Sequence, residues 1–429
     1  MGHLTSKDAY KTLDQRLNLF PQGAPPSESL FQILCVLFTE KEALMVSQLP
    51  IRPFTIKKAA KIWQLSELET EKFLDSLCDK ALLVDSMHKG VRRFVLPPPM
   101  IGFFEFSLMR MGGNIDQKLL SELYHQYINV EEDFIKSLFV NVETHLGRVL
   151  VQEPVLLSEQ ANHILDYERA SYLIDEADYV GVGTCYCRHK NLHLGIECKI
   201  HAPFETCLTL GNVARSLAEH GGYTRLISKS EAKDILTMCY ESNLVQMGEN
   251  VHNNPSFICN CCGCCCEALG AAKRFVPSQP IATSNYIPKI IQDGCIGCGK
   301  CAGVCPMDAI SMVAKEGGRG KKPVLDESIC LGCGICARNC PKKAIILNRR
   351  PVQVITPVDT THKFVLQAIE TGTLQNLIFD NQAFANHRAL AQILGVILRL
   401  PPLKQAMAGR QFKSVYLDRL LSMQYRKES

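Results

Sequence analysis

The sequence has little of what marks a membrane, exported or nucleic-acid-binding protein. Its longest apolar stretch, residues 30–38, is much shorter than the roughly 18–20 residues of a membrane-spanning helix, so we expect no membrane span. Residues 1–10 have no basic stretch followed by an apolar one, so we expect no secretory signal. A formal net charge of +4 over 429 residues is too small to indicate a general nucleic-acid-binding surface.

Signatures of independent catalysis are also missing. The sequence has no acid–base pair at a recognisable spacing, no nucleophile elbow, no P-loop and no flavin fingerprint. Whether the protein is an enzyme is therefore left open, and a role beside a catalytic partner is favoured. A content of 46% hydrophobic and 21% charged residues is typical of a folded protein, and the length suggests about three domains.

Cysteine, in contrast, is abundant, with 21 copies that are not evenly spread. Fourteen lie within residues 259–340 and four within residues 185–207. The other three, Cys35, Cys78 and Cys239, lie in apolar helical settings and are expected to be small core residues. Because nothing indicates export, we predict a cytoplasmic protein whose clustered thiols stay reduced and bind metal.

The clearest motif is a cysteine pattern that occurs twice. The spacing C-x2-C-x2-C-x3-C-P spans residues 295–306 and again residues 330–341, an offset of 35 residues. Three thiolates at this spacing can bind one face of an iron–sulfur cube, and the intervening glycines let backbone N–H groups approach the sulfurs. The fourth cysteine is too far along the chain to close the same cube and binds the partner cluster. We therefore assign two [4Fe–4S] clusters, the first to Cys295, Cys298, Cys301 and Cys340, and the second to Cys330, Cys333, Cys336 and Cys305.

This segment, residues 285–349, closely resembles the bacterial two-[4Fe–4S] ferredoxin domain. The resemblance implies two adjacent clusters that pass single electrons. Paired zinc knuckles are the less favoured alternative, because they lack the trailing cysteine–proline crossover and usually stop at four ligands.

A second field of ten cysteines lies upstream, and we predict that it binds one or two additional iron–sulfur clusters. Structural zinc is the less favoured alternative. Histidines at 189, 193 and 201 are less favoured as ligands than as polar loop residues. The candidate metal ligands are Cys185, Cys187, Cys198, Cys207, Cys259, Cys261, Cys262, Cys264, Cys265 and Cys266.

Strand geometry suggests how these thiols divide. Residues i and i+2 of an extended backbone share a face, so Cys185 and Cys187, after a buried strand at residues 179–184, can bind one centre. If residues 259–266 are extended as well, Cys262, Cys264 and Cys266 face one way and the other three cysteines face the other. Arg188 can offset cluster charge or donate to a sulfur.

The N-terminal 100 residues have a winged-helix pattern. We expect helices at residues 28–39, at 56–63 and, after a capping Ser66, up to residue 80, followed by strands at 82–84 and 92–96. That pattern is typical of DNA binding, but the would-be recognition helix carries five acidic and two basic residues. Nucleic acid is therefore the less favoured partner, and a structural or protein-docking role is favoured.

The predicted fold class is α+β and multidomain. We expect a winged-helix-like module at 1–100, a helical connector at 101–178 with a stripe of residues 115, 119, 123 and 127, a cysteine-rich module at 179–284, the ferredoxin domain at 285–349 and a helical region at 350–429. Candidate C-terminal helices are residues 364–370, 382–398 and 412–423. The basic end, residues 399–429, can dock an acidic redox partner, although a solvated helical face is favoured.

The cysteine motifs C-Y-C-R and C-N-C-C-G-C-C-C, with the twin ferredoxin motifs, resemble those of multidomain 4Fe–4S ferredoxin-type proteins of anaerobic bacteria. The resemblance implies electron transport in anaerobic metabolism, inside an oxidoreductase assembly with redox protein partners. Two alternatives stay open: a redox enzyme with an active-site cluster at residues 259–266, and an iron–sulfur redox sensor that binds DNA through its N-terminal module.

Overall fold

The computed structural model describes residues 6–140, 142–156, 166–276, 280–315, 320–354 and 356–379, and five positions between 388 and 395. The protein is a mixture of helix and sheet in two compact units. One unit comprises Met1–Ser107, Leu123–Thr144 and Val358–Ser429, and the other comprises Leu108–Glu122 and His145–Pro357. Within the described ranges, no helix has the length and apolar character needed to cross a membrane.

Up to residue 140 the chain is mainly helical. Two helices begin with a reciprocal capping box, at Thr39 with Glu42 and at Ser66 with Glu69, which satisfies backbone N–H groups of the first turn. The strands form a small antiparallel sheet in the order β1-β3-β2. The elements are α1 (Ser6–Leu17), α2 (Glu28–Leu37), α3 (Glu40–Ser47), β1 (Phe54–Thr55), α4 (Ile56–Trp63), α5 (Glu67–Cys78), β2 (Val84–His88), β3 (Val91–Val95), α6 (Phe104–Ser107), α7 (Gln117–His125) and α8 (Asp133–Phe139).

The predicted helices of this region and the strand at 92–96 are present, the strand predicted at 82–84 lies instead at Val84–His88, and two side-chain predictions are wrong. Cys35 is exposed, because it lies on the face of α2 opposite the buried Leu30, Ile33, Leu34 and Leu37. The predicted stripe in α7 also fails at residue 119, which is 43% exposed. The buried face instead contains residues 120, 123, 124 and 127, which follow the three-and-four spacing of a helix. Cys78 and Cys239 are buried as expected.

The rest of the described chain alternates strands and helices before it ends in two helices. The elements are β4 (Gly147–Val149), α9 (Ala170–Glu176), β5 (Val180–Thr184), α10 (Tyr186–His193), β6 (Glu205–Leu210), α11 (Gly211–Glu219), β7 (Arg225–Ile227), α12 (Lys229–Glu241), β8 (Val245–Glu249), β9 (Phe257–Cys261), α13 (Glu267–Arg274), β10 (Tyr286–Ile290), α14 (Lys300–Gly303), β11 (Ile310–Ala314), β12 (Lys321–Leu325), α15 (Ile335–Arg338), β13 (Ile345–Arg349), α16 (Thr360–Thr371) and α17 (Leu374–Ile378).

A six-stranded antiparallel sheet organises the second unit, in the order β4-β8-β9-β6-β5-β7. Its apolar core contains residues of β5, β6 and β9, and side chains of α9 and α12. Because β5, β6 and β9 are neighbours, the residues at and just beyond their ends are brought close together in space. The upstream cysteines lie on or after these three strands.

The repeated cysteine segment forms two small antiparallel pairs, β10 with β13 and β11 with β12. Its two short helices, α14 and α15, each begin after a left-handed glycine, Gly299 and Gly334, at the same place in each repeat. The backbone therefore repeats as the sequence does.

In the C-terminal region, the predicted helix at residues 364–370 lies within α16. The predicted helix at 382–398 lies largely outside the described residues. The helix at 412–423 and the basic end at 399–429 lie wholly outside them.

Candidate metal centres

The repeated segment encloses two recesses of similar size, each lined by four cysteines. Recess A, about 370 Å³, is lined by Cys295, Cys298, Cys301 and Cys340. Recess B, about 360 Å³, is lined by Cys305, Cys330, Cys333 and Cys336. Each recess takes three cysteines from one repeat and the fourth from the other. The two predicted ligand sets therefore each meet in one place, while their metal binding stays a prediction.

The backbone around these recesses suits anionic sulfur. The N–H of Ala309 donates to Cys305 Sγ at 3.3 Å, and the N–H of Ala344 donates to Cys340 Sγ at 3.3 Å. These equivalent bonds lie at the two crossover cysteines. Burial raises the pKa of the Cys333 thiol to about 12, so its thiolate form needs a compensating cation. The chemistry of the donor set thus fits a cationic iron core in each recess.

The two recesses differ in their access to solvent. Cys298 in recess A is exposed, and the neighbouring Ile296 is 60% exposed. Cys330 and Cys336 in recess B are buried. Recess B also lies against the chain that follows β4, where the N–H of Gln152 donates to the carbonyl oxygen of Cys333 at 3.0 Å. Recess A is therefore the outer site and recess B the inner one.

Six of the upstream cysteines form a connected group, which we call the six-thiol group. It comprises Cys185, Cys187, Cys207, Cys259, Cys261 and Cys266, which interact in the order 185–187–266–261–259–207. Strand β9 contributes residues 259 and 261, and β6 contributes 207. Strand β5 leads into α10, which carries 185 and 187, and 266 begins α13.

The N-termini of two helices stabilise the thiolate form of cysteines in the six-thiol group. Cys185 and Cys266 are the N-cap residues of α10 and α13, where the helix dipole and free N–H groups stabilise negative charge. The thiols of Cys187 and Cys261 donate to Cys266 and hold its pKa well below the usual range, with help from N–H groups of α13. Cys185 and Cys187 do meet, as predicted, although the first turn of a helix brings them together rather than an extended strand.

The other four upstream cysteines form a separate and compact group, the four-thiol group. It comprises Cys198, Cys262, Cys264 and Cys265, whose sulfur atoms all lie within 4.8 Å of one another. The Cys265 thiol donates to Cys262 and lowers the pKa of Cys262 to about 5. Cys198 comes from the irregular chain between α10 and β6, and the other three follow β9.

The predicted alternation of faces along residues 259–266 is therefore wrong. Strand β9 ends at Cys261, and residues 263–265 form a turn. After the turn, Cys266 lies beside Cys261 instead of sharing a face with Cys262 and Cys264.

Arg188 lies between the two groups and is only 2% exposed. Its guanidinium donates to the carbonyl oxygen of Asn260 at 3.2 Å and to the hydroxyl of Thr206. Burial alone would lower its pKa, but the thiolates of Cys185 and Cys262 attract the guanidinium and hold its pKa above the ordinary range. A buried positive charge thus faces both sets of sulfur atoms.

Other polar groups nearby are occupied. Lys190 of α10 and Glu267 of α13 form a buried ion pair, which sequence reasoning did not identify. His189 Nδ1 bonds the carbonyl oxygen of Leu108 at 2.8 Å, and its Nε2 lies 3.1 Å from His193 Nε2. His201 is 77% exposed and lies beside Glu197. Both nitrogens of His189 are therefore engaged away from sulfur.

Gly263 joins the cysteine-rich turn to the ferredoxin-like segment. A Cβ atom at residue 263 would lie 2.1 Å from the carbonyl oxygen of Pro306, the residue after Cys305 of recess B. Lys273 of α13 adds an ion pair to Asp308 at 2.7 Å. The four-thiol turn therefore packs directly on the corner of recess B. The sequence feature that could have indicated this contact is Gly263 itself, a single glycine flanked by five cysteines.

Comparison with known proteins bears on part of the chain. Residues 294–344 match the family model described as a 4Fe-4S dicluster domain. No curated protein matches the chain. The matched range contains all eight cysteines that line the two recesses, so the second unit contains a ferredoxin-type iron–sulfur domain.

Proposed function

We propose that the protein relays single electrons between a redox partner and an oxidoreductase centre, through clusters at recess A and recess B and then through the cysteine-rich module. The observation that carries this proposal is the contact of Gly263 with Pro306. It joins the inner recess of a 4Fe–4S domain to a second field of thiols.

Eight cysteines are proposed as the ligands of two [4Fe–4S] clusters, four in each recess. The paired N–H···S bonds at Cys305 and Cys340 support this assignment, because such donors stabilise the anionic sulfur of a cluster and tune its reduction potential. An iron–sulfur cluster supplies one-electron chemistry when it is bound. The residues of the chain hold the cluster in position and exclude water from the inner recess.

The six-thiol group is proposed to hold a further iron–sulfur centre. Two helix N-termini and the guanidinium of Arg188 surround it, and each favours negative charge on sulfur. Six thiols exceed the four ligands of a simple cube, so the group has the ligands for a centre of unusual composition. No disulfide joins any of the 21 cysteines, all of which lie among the described residues, and this suits a reducing, cytoplasmic setting.

Electron exchange with the partner is proposed to occur at recess A. Lys300 and Lys342 line it, and both are exposed beside the exposed Cys298. Positive charge around a solvent-exposed cluster attracts an acidic surface and speeds encounter. The proposed partner is therefore an acidic electron carrier.

The first 100 residues are proposed as a winged-helix-like docking module for protein. In its hairpin, Arg92 pairs with Asp75 at 2.7 Å and with Asp85 at 2.8 Å, and lies 3.7 Å from Glu71. These carboxylates compete with DNA phosphate for the wing arginine, which disfavours duplex binding. The five-part division of the chain given above is part of the same proposal.

The relay is tested on protein purified without oxygen. The two recesses predict about 8 iron and 8 sulfide per chain, and a further centre raises both. After mixing with reduced donor, electron paramagnetic resonance of frozen samples follows each centre. Replacing Cys336 of recess B with alanine should block reduction of the six-thiol centre, while Cys35→Ala, at an exposed thiol, leaves it unchanged. Equal reduction rates in both variants would overturn the relay.

A further inference from the structure

The four-thiol group has the dimensions of a site for one metal ion. Cys198 Sγ lies 3.9 Å from Cys262 Sγ and 3.7 Å from Cys264 Sγ, and Cys264 Sγ lies 3.7 Å from Cys265 Sγ. We propose that these four thiolates bind a single tetrahedrally coordinated ion, zinc or iron, and not an iron–sulfur cluster.

The sulfur–sulfur distances carry this inference. A metal–sulfur bond of about 2.3 Å in a tetrahedron places the sulfurs about 3.8 Å apart, since the edge is about 1.6 times the bond length. The three observed distances, 3.7 to 3.9 Å, match that edge. A cube of four iron and four sulfide atoms separates its thiolates much further, so its four sulfurs cannot all lie within 4.8 Å of one another.

The same chain provides an internal comparison. In the described ranges, no other set of three or more histidine, cysteine or acidic side chains has ligand atoms all within 4.8 Å of one another. The cysteines of recesses A and B, which belong to the matched 4Fe–4S domain, are thus spaced more widely. The structure distinguishes wide cluster-type sets from one compact set.

The donor set and its surroundings fit a closed site. Four thiolates leave no open coordination position, which is typical of structural zinc and of single iron in a four-sulfur shell. Cys262 and Cys265 are buried, and Cys198 and Cys264 are partly exposed, which leaves a path for the ion. Arg188 faces Cys262 and offsets part of the negative charge of a divalent ion with four thiolates.

Such an ion has a mechanical consequence. It ties the irregular chain at Cys198 to the turn at residues 262–265, and that turn carries Gly263 against Pro306. The ion would therefore fix the position of the cysteine-rich module on recess B. The proposal of a bound ion does not depend on the proposed relay, because it is based on the distances between the sulfur atoms.

The test is metal and sulfide analysis of the full chain purified without oxygen. Because the two recesses and the six-thiol group are the same in every variant, the single-ion site appears as one zinc or one iron per chain that is lost without sulfide when one of its ligands is replaced. Cys198→Ser should remove that one equivalent and leave sulfide unchanged. Cys264→Ser, at a partly exposed ligand, should do the same if Cys198→Ser folds poorly.

Cys239→Ala is the matched control. Cys239 is fully buried and packs with Cys262 and Cys265 in one apolar cluster, yet it is not one of the four ligands. Its removal should leave the extra ion in place. For zinc, X-ray absorption at the zinc edge should give four sulfurs at about 2.3 Å with no second metal nearby. Unchanged zinc and iron contents in both Cys198→Ser and Cys264→Ser, or a loss of about four sulfides in either variant, would overturn the inference.

Discussion

Replacing Gly263 with alanine tests whether the cysteine-rich turn really packs on the inner recess. The new Cβ would lie 2.1 Å from the carbonyl oxygen of Pro306, whereas ordinary contacts begin at 3.4 Å. The turn or the ferredoxin corner must therefore move by about 1.3 Å. Overpacking of this kind costs about 1–3 kcal/mol, which corresponds to a fall in Tm of roughly 2–12 °C for a unit of this size.

The matched control is Gly270→Ala in α13. A Cβ there meets nothing within 4 Å, and alanine is a better helix former than glycine by about 1 kcal/mol, so its Tm should hold or rise. Calorimetry of the metal-loaded protein gives both Tm values, and rapid freezing after mixing with reduced donor gives the rate at which the six-thiol centre is reduced. Gly263→Ala should lower both. Equal Tm values in the two variants would refute the contact.

Three further predictions concern the surrounding charges and thiols. Arg188→Met removes a buried positive charge from both sulfur groups, so the reduction potential of the six-thiol centre should fall in a redox titration, while Arg188→Lys should recover part of it. Lys190→Met leaves the Glu267 carboxylate buried without its cation and should lower the free energy of unfolding by about 3–5 kcal/mol, and adding Glu267→Gln should restore most of the loss. Iodoacetamide should alkylate the exposed Cys35 in native protein but should reach Cys78 only after unfolding. Burial blocks access to the Cys78 thiol and raises its pKa. Equal labelling of the two cysteines in native protein would contradict their assigned burial.

The ferredoxin segment could be predicted from the sequence because its information is local. Three cysteines two residues apart and a fourth before proline determine which thiols come together, and the 35-residue repeat makes the crossover visible. The recess linings agree with that grouping. The helix start after Ser66 could be predicted for the same reason, because a capping side chain acts within three residues.

The division of the ten upstream cysteines could not be predicted in the same way. Alternation along an extended strand was a reasonable assumption for residues 259–261, but it fails after Cys261, where the chain turns. Cys198 joins its group from a segment 64 residues away in sequence, and no local pattern marks that pairing. Cys207 reaches its group through strand pairing between β5, β6 and β9, which is a property of the sheet.

The position of Arg188 implies that the two proposed upstream centres influence each other. The neighbouring Lys190 and Glu267 form an ion pair with no net charge, so that pair does little to offset the thiolates. Arg188 attracts sulfur of the six-thiol group and Cys262 of the four-thiol group at once. Adding an electron to the six-thiol centre, or removing the ion from the four-thiol site, changes the negative charge that the guanidinium of Arg188 offsets. Because low-dielectric surroundings screen such changes weakly, the reduction potential of the six-thiol centre should depend on occupancy of the four-thiol site.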